Sequence, residues 1–145
     1  MIKILLALTL AFSTISYAQL KPLDEVLKEN SSNERFIASF SSKRCAAIYL
    51  EVAKIIQEDE PKLIEPLANK ASELTLFAAL VDSKKTMDEI SMSDVDKADK
   101  EIKTIWNIIA EASDVSYAKT GSYLSVHERD LQFCRASYPL EKSLF

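Results

Sequence analysis

Glycine is nearly absent from this chain. Among 145 residues there is one, Gly121. Tight β-hairpins and phosphate-cradling loops rely on residues that accept positive φ, and glycine is the usual supplier. Its scarcity excludes a P-loop or a dinucleotide fingerprint and argues for helices joined by few tight turns. Histidine is equally scarce, with only His127. A haem held between helices needs a second axial ligand. Met87 and Met92 share one connecting stretch, which suits axial ligation poorly, and no C-x-x-C-H run offers covalent attachment. Positive charge is also in short supply. The formal net charge is −4, without the broad basic field that nucleic acid requires. Asp94, Asp96 and Asp99 hint at calcium, but Asp99 stands where an EF-hand loop needs glycine and Ile105 where it needs a bidentate Glu. Helix capping explains the first two acids better. No cofactor and no metal are expected.

Long apolar runs are confined to the first residues, MIKILLALTLAFSTISYAQ. Lys3 precedes an apolar stretch from Ile4 to Phe12, followed by small and polar residues up to Ala18. This pattern reads as a secretory signal peptide over 1–18, cleaved between Ala18 and Gln19. Read as a membrane anchor instead, the stretch is diluted by Ser13, Thr14, Ser16 and Gln19 and spans poorly. No cysteine follows it to carry a lipid. Export is therefore expected, into the periplasm of a Gram-negative bacterium or otherwise into the secreted space. After cleavage no stable membrane insertion is expected.

What remains is helical in period. A lead segment, 19–31, contains PLDEVLKEN, which suits a small helix. The body, 32–138, reads as four helices, and 139–145 as a tail. The first helix spans about Ser32 to Glu58, with Ser31 and Glu34 as a capping box and a stripe of Ile37, Phe40, Ile48, Val52 and Ile55. The second spans about Pro61 to Lys85, with Pro66 forcing a kink or a restart after one loose turn. Its stripe is Leu63, Leu67, Ala71, Leu74, Ala78 and Val81. The third starts near Ser93, carries Ile102, Ile105, Ile109 and Ala112, with Trp106 beside them, and stops before Gly121. The fourth spans about Ser122 to Tyr138, or starts one turn later at a second capping box, Ser125 and Glu128. Short connections favour an all-α, four-helix, up-down-up-down antiparallel bundle.

That topology makes a statement about the only two cysteines, Cys45 and Cys134. Each lies roughly 18 to 20 Å from the same end of the bundle, at ~1.5 Å per residue. Both fall on or near an apolar stripe, and an exported protein meets an oxidising compartment. A Cys45–Cys134 disulfide between the first and fourth helices is therefore predicted, within a layer shared with Leu74 and Trp106. Closing a loop of about 90 residues is worth roughly 4 to 5 kcal/mol by chain entropy. A redox pair would usually present an exposed, activated thiol, often in a C-x-x-C, and that run is absent.

The remaining candidates are sparse. Arg44 and Arg135 flank the cysteines and could grip an anion if both emerge on one side; ordinary ion pairing or stacking on Tyr49 or Trp106 is the simpler reading. His127 is read as a partly buried ring bonded to an acid such as Glu51 or Asp114, rather than as a base. LTLFAALV, residues 74–81, is apolar on almost every face, so Leu76, Phe77 and Leu80 are candidates for a docking surface. The expectation is a small exported protein without catalytic residues that works by contact with another protein. A carrier of a small apolar ligand within the bundle stands second, and a hydrolase using His127 third.

Overall fold

The computed structural model describes residues 20–140. Within them all regular structure is helical, and Cys45 and Cys134 are joined in a disulfide. Five α-helices are present: α1 (Leu23–Glu29), α2 (Glu34–Ile56), α3 (Ile64–Ser83), α4 (Met92–Thr120) and α5 (Glu128–Ser137). The proposed leader lies outside the described residues, as does the tail beyond Leu140. The lead segment does form a helix, so five helices stand where the period alone counted four in the body.

Each helix end has a local cause. Asn33, not Ser31, caps α2, its side chain accepting from Phe36 N at 3.0 Å. Pro61 opens a 3₁₀ turn, Pro61–Leu63, and α3 restarts at Ile64. Pro66 then falls in the first turn of α3, where its missing N–H has no intrahelical partner to lose. Ser91 and Asp94 form a reciprocal capping box at the start of α4, two residues before the expected Ser93. Gly121 ends α4 in the left-handed region at φ 74°, the one place where the chain uses glycine's freedom. Lys84 ends α3 at φ 57° and carries a side chain into the same region.

The fourth predicted segment differs most. Ser122–Leu124 are not helical, a 3₁₀ turn occupies Ser125–His127, and α5 begins only at Glu128. Hydroxyl bonding explains the delay. Ser116 Oγ and Thr120 Oγ1 both donate to the Ser122 carbonyl, at 2.7 and 3.3 Å, and Ser125 Oγ contacts Ser116 Oγ at 2.8 Å. These bonds hold the chain in a turn against the end of α4.

α2 is the central helix, packing on α1, α3, α4 and α5, while α3 also meets α4 and α1 meets α5. Residues 41–49 of α2 are buried without interruption, so every face of that stretch is largely covered by the rest of the protein. A helix enclosed in this way is usually apolar all round. This one carries Ser41, Ser42, Lys43 and Arg44, and each finds a partner. Ser41 Oγ meets Tyr138 Oη at 2.7 Å, and Ser42 Oγ donates to the Ala38 carbonyl at 2.8 Å. The predicted stripe of α3 is seated as expected, with Leu67, Ala71, Leu74 and Ala78 buried. On α4, Ile102 and Ile109 are fully buried, while Ile105 and Trp106 are half-buried against the core.

The disulfide has an S–S distance of 1.99 Å and joins Cα atoms 5.4 Å apart, across 89 positions of sequence. Cys45, Leu74 and Cys134 share one core, with Trp106 packed on it. α5 has only ten residues, too few to be stable alone. The bond therefore secures a short helix as well as closing a long loop. Replacing both cysteines with serine should lower stability by about 2–5 kcal/mol and the melting temperature by roughly 10 °C. Thermal unfolding of wild type and of the double variant checks this; an unchanged midpoint would show that α5 is held by its other contacts.

Candidate functional site

One polar cluster lies inside the fold and another at its surface. The internal one surrounds the disulfide. Asp130 stands one turn before Cys134 on α5 and is 3% exposed; Arg44, beside Cys45 on α2, is 4% exposed. Asp130 Oδ2 accepts from Arg44 Nε at 2.8 Å and Nη2 at 2.5 Å. Its other oxygen, Oδ1, accepts from the backbone N–H of Leu23 at 2.7 Å. That N–H is the first of α1, which has no side-chain cap of its own. One carboxylate on α5 thus neutralises a cation on α2 and satisfies an orphan donor of α1. Burial pushes the Arg44 guanidinium below its ordinary pKa, against the pull of Asp130.

His127 lies in the same interior, 2% exposed. Its Nε2 is 3.1 Å from the Ile109 carbonyl oxygen and 3.1 Å from Ser113 Oγ. A carbonyl only accepts, so Nε2 is assigned the hydrogen. With that hydrogen directed at Ile109, Nε2 is not a base toward the Ser113 hydroxyl. The partner is a backbone carbonyl, not the acid expected at Glu51 or Asp114. Glu51 instead accepts from Trp106 Nε1 on Oε2 at 2.8 Å. Its Oε1 takes no hydrogen bond and faces the Lys54 ammonium at 3.6 Å. Burial holds the His127 pKa below its ordinary value; Arg44 lowers it further, while the Ile109 bond and the charges of Asp130 and Glu51 oppose the shift. Tyr49 donates to the Tyr138 carbonyl at 2.8 Å, and burial pushes its hydroxyl up to about 12 against the charge of Arg135.

The surface cluster lies where the N-terminal half of α2, the C-terminal end of α3 and the N-terminal half of α4 meet. An open groove of about 710 Å³ runs there. Lys43 forms its floor, its ammonium paired with Asp82 at 2.5 Å and with Glu101. Burial opposes the charge on Lys43, but the bonds and charges of the two carboxylates outweigh it and hold its pKa above the ordinary value. Burial likewise opposes ionisation of Asp82, yet bonds from Lys43 and Ser39 and the charges of Lys43 and Lys97 hold its carboxyl below the usual range. Arg35 Nε donates to the Val81 carbonyl at 2.9 Å and Nη2 to the Asp82 carbonyl. This places a cation on the negative end of the α3 dipole. Phe36 and Phe40, one turn apart on α2, stack with centroids 5.2 Å apart.

The residues singled out from sequence are thus dispersed. Cys45 and Cys134 join. Arg44 and Arg135 do not converge: Arg44 is buried on Asp130, and Arg135 is exposed on α5 beside Leu131, Gln132 and Glu128. Neither Arg44 nor His127 reaches the outer surface, because each has a buried partner that a surface position would forfeit. Phe77 is 42% exposed, while Leu76 and Leu80 are half-buried. Sequence reasoning missed Asp130, Lys43 and Arg35. Asp130 was within reach, since it lies four positions before Cys134 and so shares its face. Arg35 and Lys43 gave no signal, because their partners are on other helices.

Among the described residues, no cluster of three or more His, Cys, Asp or Glu side chains could hold a metal ion, and no helix is long and apolar enough to cross a membrane. No family model matches the chain, and no curated protein or solved structure matches it.

Two predictions follow from the interior. Asp130→Ala leaves Arg44 buried and unpaired and should cost about 3–5 kcal/mol, whereas the pair Arg44→Met with Asp130→Leu should recover much of that loss. Denaturant unfolding of both variants measures it; equal losses would mean that the capping of Leu23, not the ion pair, dominates. For His127, the folded pKa lies below the unfolded one. Its stabilising contribution is complete above about pH 6.5 and is lost as the pH falls through the lower folded value. Melting temperatures of wild type should therefore decline from about pH 7 to 5. His127→Gln, which keeps a donor for Ile109, should flatten that decline and leave the steeper carboxylate-driven loss below about pH 4.

Proposed function

We propose that this protein is a small exported binding protein without catalytic activity, acting through contacts with another protein. The carrying observation is the placement of its reactive side-chain types. His127, Asp130, Arg44 and Glu51 are all buried, and the hydrogen bonds they make run to other parts of the same chain. The surface instead keeps apolar groups in contact with solvent, among them Phe77, Ile108 and Val126, and an open groove. Such a distribution suits a scaffold that presents surfaces.

The scaffold proposed is an up-down-up-down bundle of α2 to α5, extended by α1. Cross-links between helices support the alternating directions. Arg35 at the start of α2 meets Val81 at the end of α3, while Lys43 and Glu51 of α2 meet Glu101 and Trp106 of α4 in the same order. Export is supported by the disulfide, which persists in oxidising compartments, and by the leader pattern over residues 1–18. The candidate contact residues at the surface are Leu76, Phe77, Leu80 and Arg135. The carrier reading has less support, since the groove is open and its floor is an ion-pair cluster.

Native and denaturing mass spectrometry of the protein from its own exported compartment tests the proposal. The denatured chain should begin at Gln19 and be two hydrogens lighter than the dithiol. The native spectrum should hold a second protein, and that complex should survive His127→Gln. A bound small molecule in place of a protein would favour the carrier, and loss of function with His127→Gln in a folded protein would favour the hydrolase.

A further inference from the structure

The groove between α2 and α4 combines charged and apolar side chains. Its lining holds three cations, Arg35, Lys43 and Lys97, and two carboxylates, Asp82 and Glu101. Lys43 is paired with both Asp82 and Glu101. Arg35 spends its bonds on main-chain carbonyls, and Lys97 acts on the Asp82 carboxylate through its charge, without a direct hydrogen bond among those the described residues show. The groove therefore carries an excess positive charge in a chain whose formal net charge is −4. Two bonds to the end of α3 hold the Arg35 guanidinium in place, so little side-chain freedom remains to be lost on binding. Of its five N–H groups, those on Nη1 and one on Nη2 stay free for a further acceptor. The same lining includes apolar surface, stacked Phe36 and Phe40 from α2 and half-buried Ile105 from α4.

We propose that this groove binds a segment of a partner protein in which an aromatic or long aliphatic side chain is flanked by carboxylates. The apolar side chain lies against Phe36, Phe40 and Ile105, and the acids reach Arg35 and Lys97. Charge complementarity selects this occupant. An acidic segment is repelled by a net acidic protein and drawn to a groove whose lining holds one more cation than carboxylates. The openness of the groove favours a peptide over a lipid, whose acyl chain needs an enclosed apolar channel. This inference rests on the proposed role in protein binding and names the chemistry of the partner.

Exposed Thr104 on the α4 wall offers a test, because its side chain lines the groove and makes only a bond to the Lys100 carbonyl of its own helix. The full-length disulfide-bonded protein is titrated against synthetic peptides with Phe or Leu between Asp or Glu residues, and against controls with Lys for the acids or Ala for the apolar residue. Binding should require both features and should weaken with salt. Thr104→Glu should weaken it about tenfold and Thr104→Lys should strengthen it, opposite signs that a merely structural effect would not give. Arg35→Gln with Lys97→Gln should abolish the preference for acids. Equal affinity for acidic and basic peptides, no peptide binding, or palmitate displacing the peptide from the groove would each overturn the proposal. If the partner found by native mass spectrometry binds Thr104→Glu as well as wild type, the groove assignment fails while the protein-binding role stands. If no partner protein is found, that role fails as well.

Discussion

One carboxylate organises the interior. Asp130 binds the Arg44 guanidinium through one oxygen and the first N–H of α1 through the other, so that α1, α2 and α5 meet at a single side chain. α1 has seven residues and α5 ten, each below the length at which a helix stands alone in water. Both depend on docking against α2. The Cys45–Cys134 bond lies beside this ion pair and adds a covalent tie at the same level. A buried ion pair contributes little net stability by itself, because both charges must leave water. Its geometry ties three helices together, since Asp130 of α5 meets Arg44 of α2 and Leu23 of α1 at once.

The same constraint governs which charged side chains reach the surface. Enclosing α2 along residues 41–49 brings two cations into the interior, and each is neutralised by acids from other helices, Arg44 by Asp130 and Lys43 by Asp82 and Glu101. His127 and Glu51 are buried with them, bonded to the Ile109 carbonyl and to Trp106. Lys43 differs from Arg44 in position, since its partners lie at the edge of the fold. The result is a charged floor beneath an open groove rather than a sealed pair. The groove and the core are therefore parts of one arrangement, in which the α3 and α4 carboxylates that hold α2 also shape the surface above it.

Much of the helical content was legible because it follows from local rules. The apolar stripe of α3, the restart after Pro61 and the stop at Gly121 depend on neighbours within a turn or two. The joining of Cys45 to Cys134 was also expected, although the count of helix rise behind it ran a continuous helix from Ser122, where α5 begins only at Glu128. The start of α5 was not. Its delay comes from hydroxyls of Ser116 and Thr120 on a preceding helix, which capture the Ser122 carbonyl across the turn. The partner of His127 was missed for a related reason: a backbone carbonyl, Ile109, carries no mark in the sequence.

By itself the sequence determined that the chain is helical, where most helices begin and end, and which two sulfurs would join. Those features arise from periodicity, capping and chain reach, all of which act over short distances or simple geometry. Only the tertiary structure decided which charges are buried and which stay available. Arg44 and Arg35 look alike in sequence, yet one is buried on Asp130 and the other stands at the rim of a groove. The difference is one of desolvation and partner placement, set by helices far apart in the chain, and no local pattern records it.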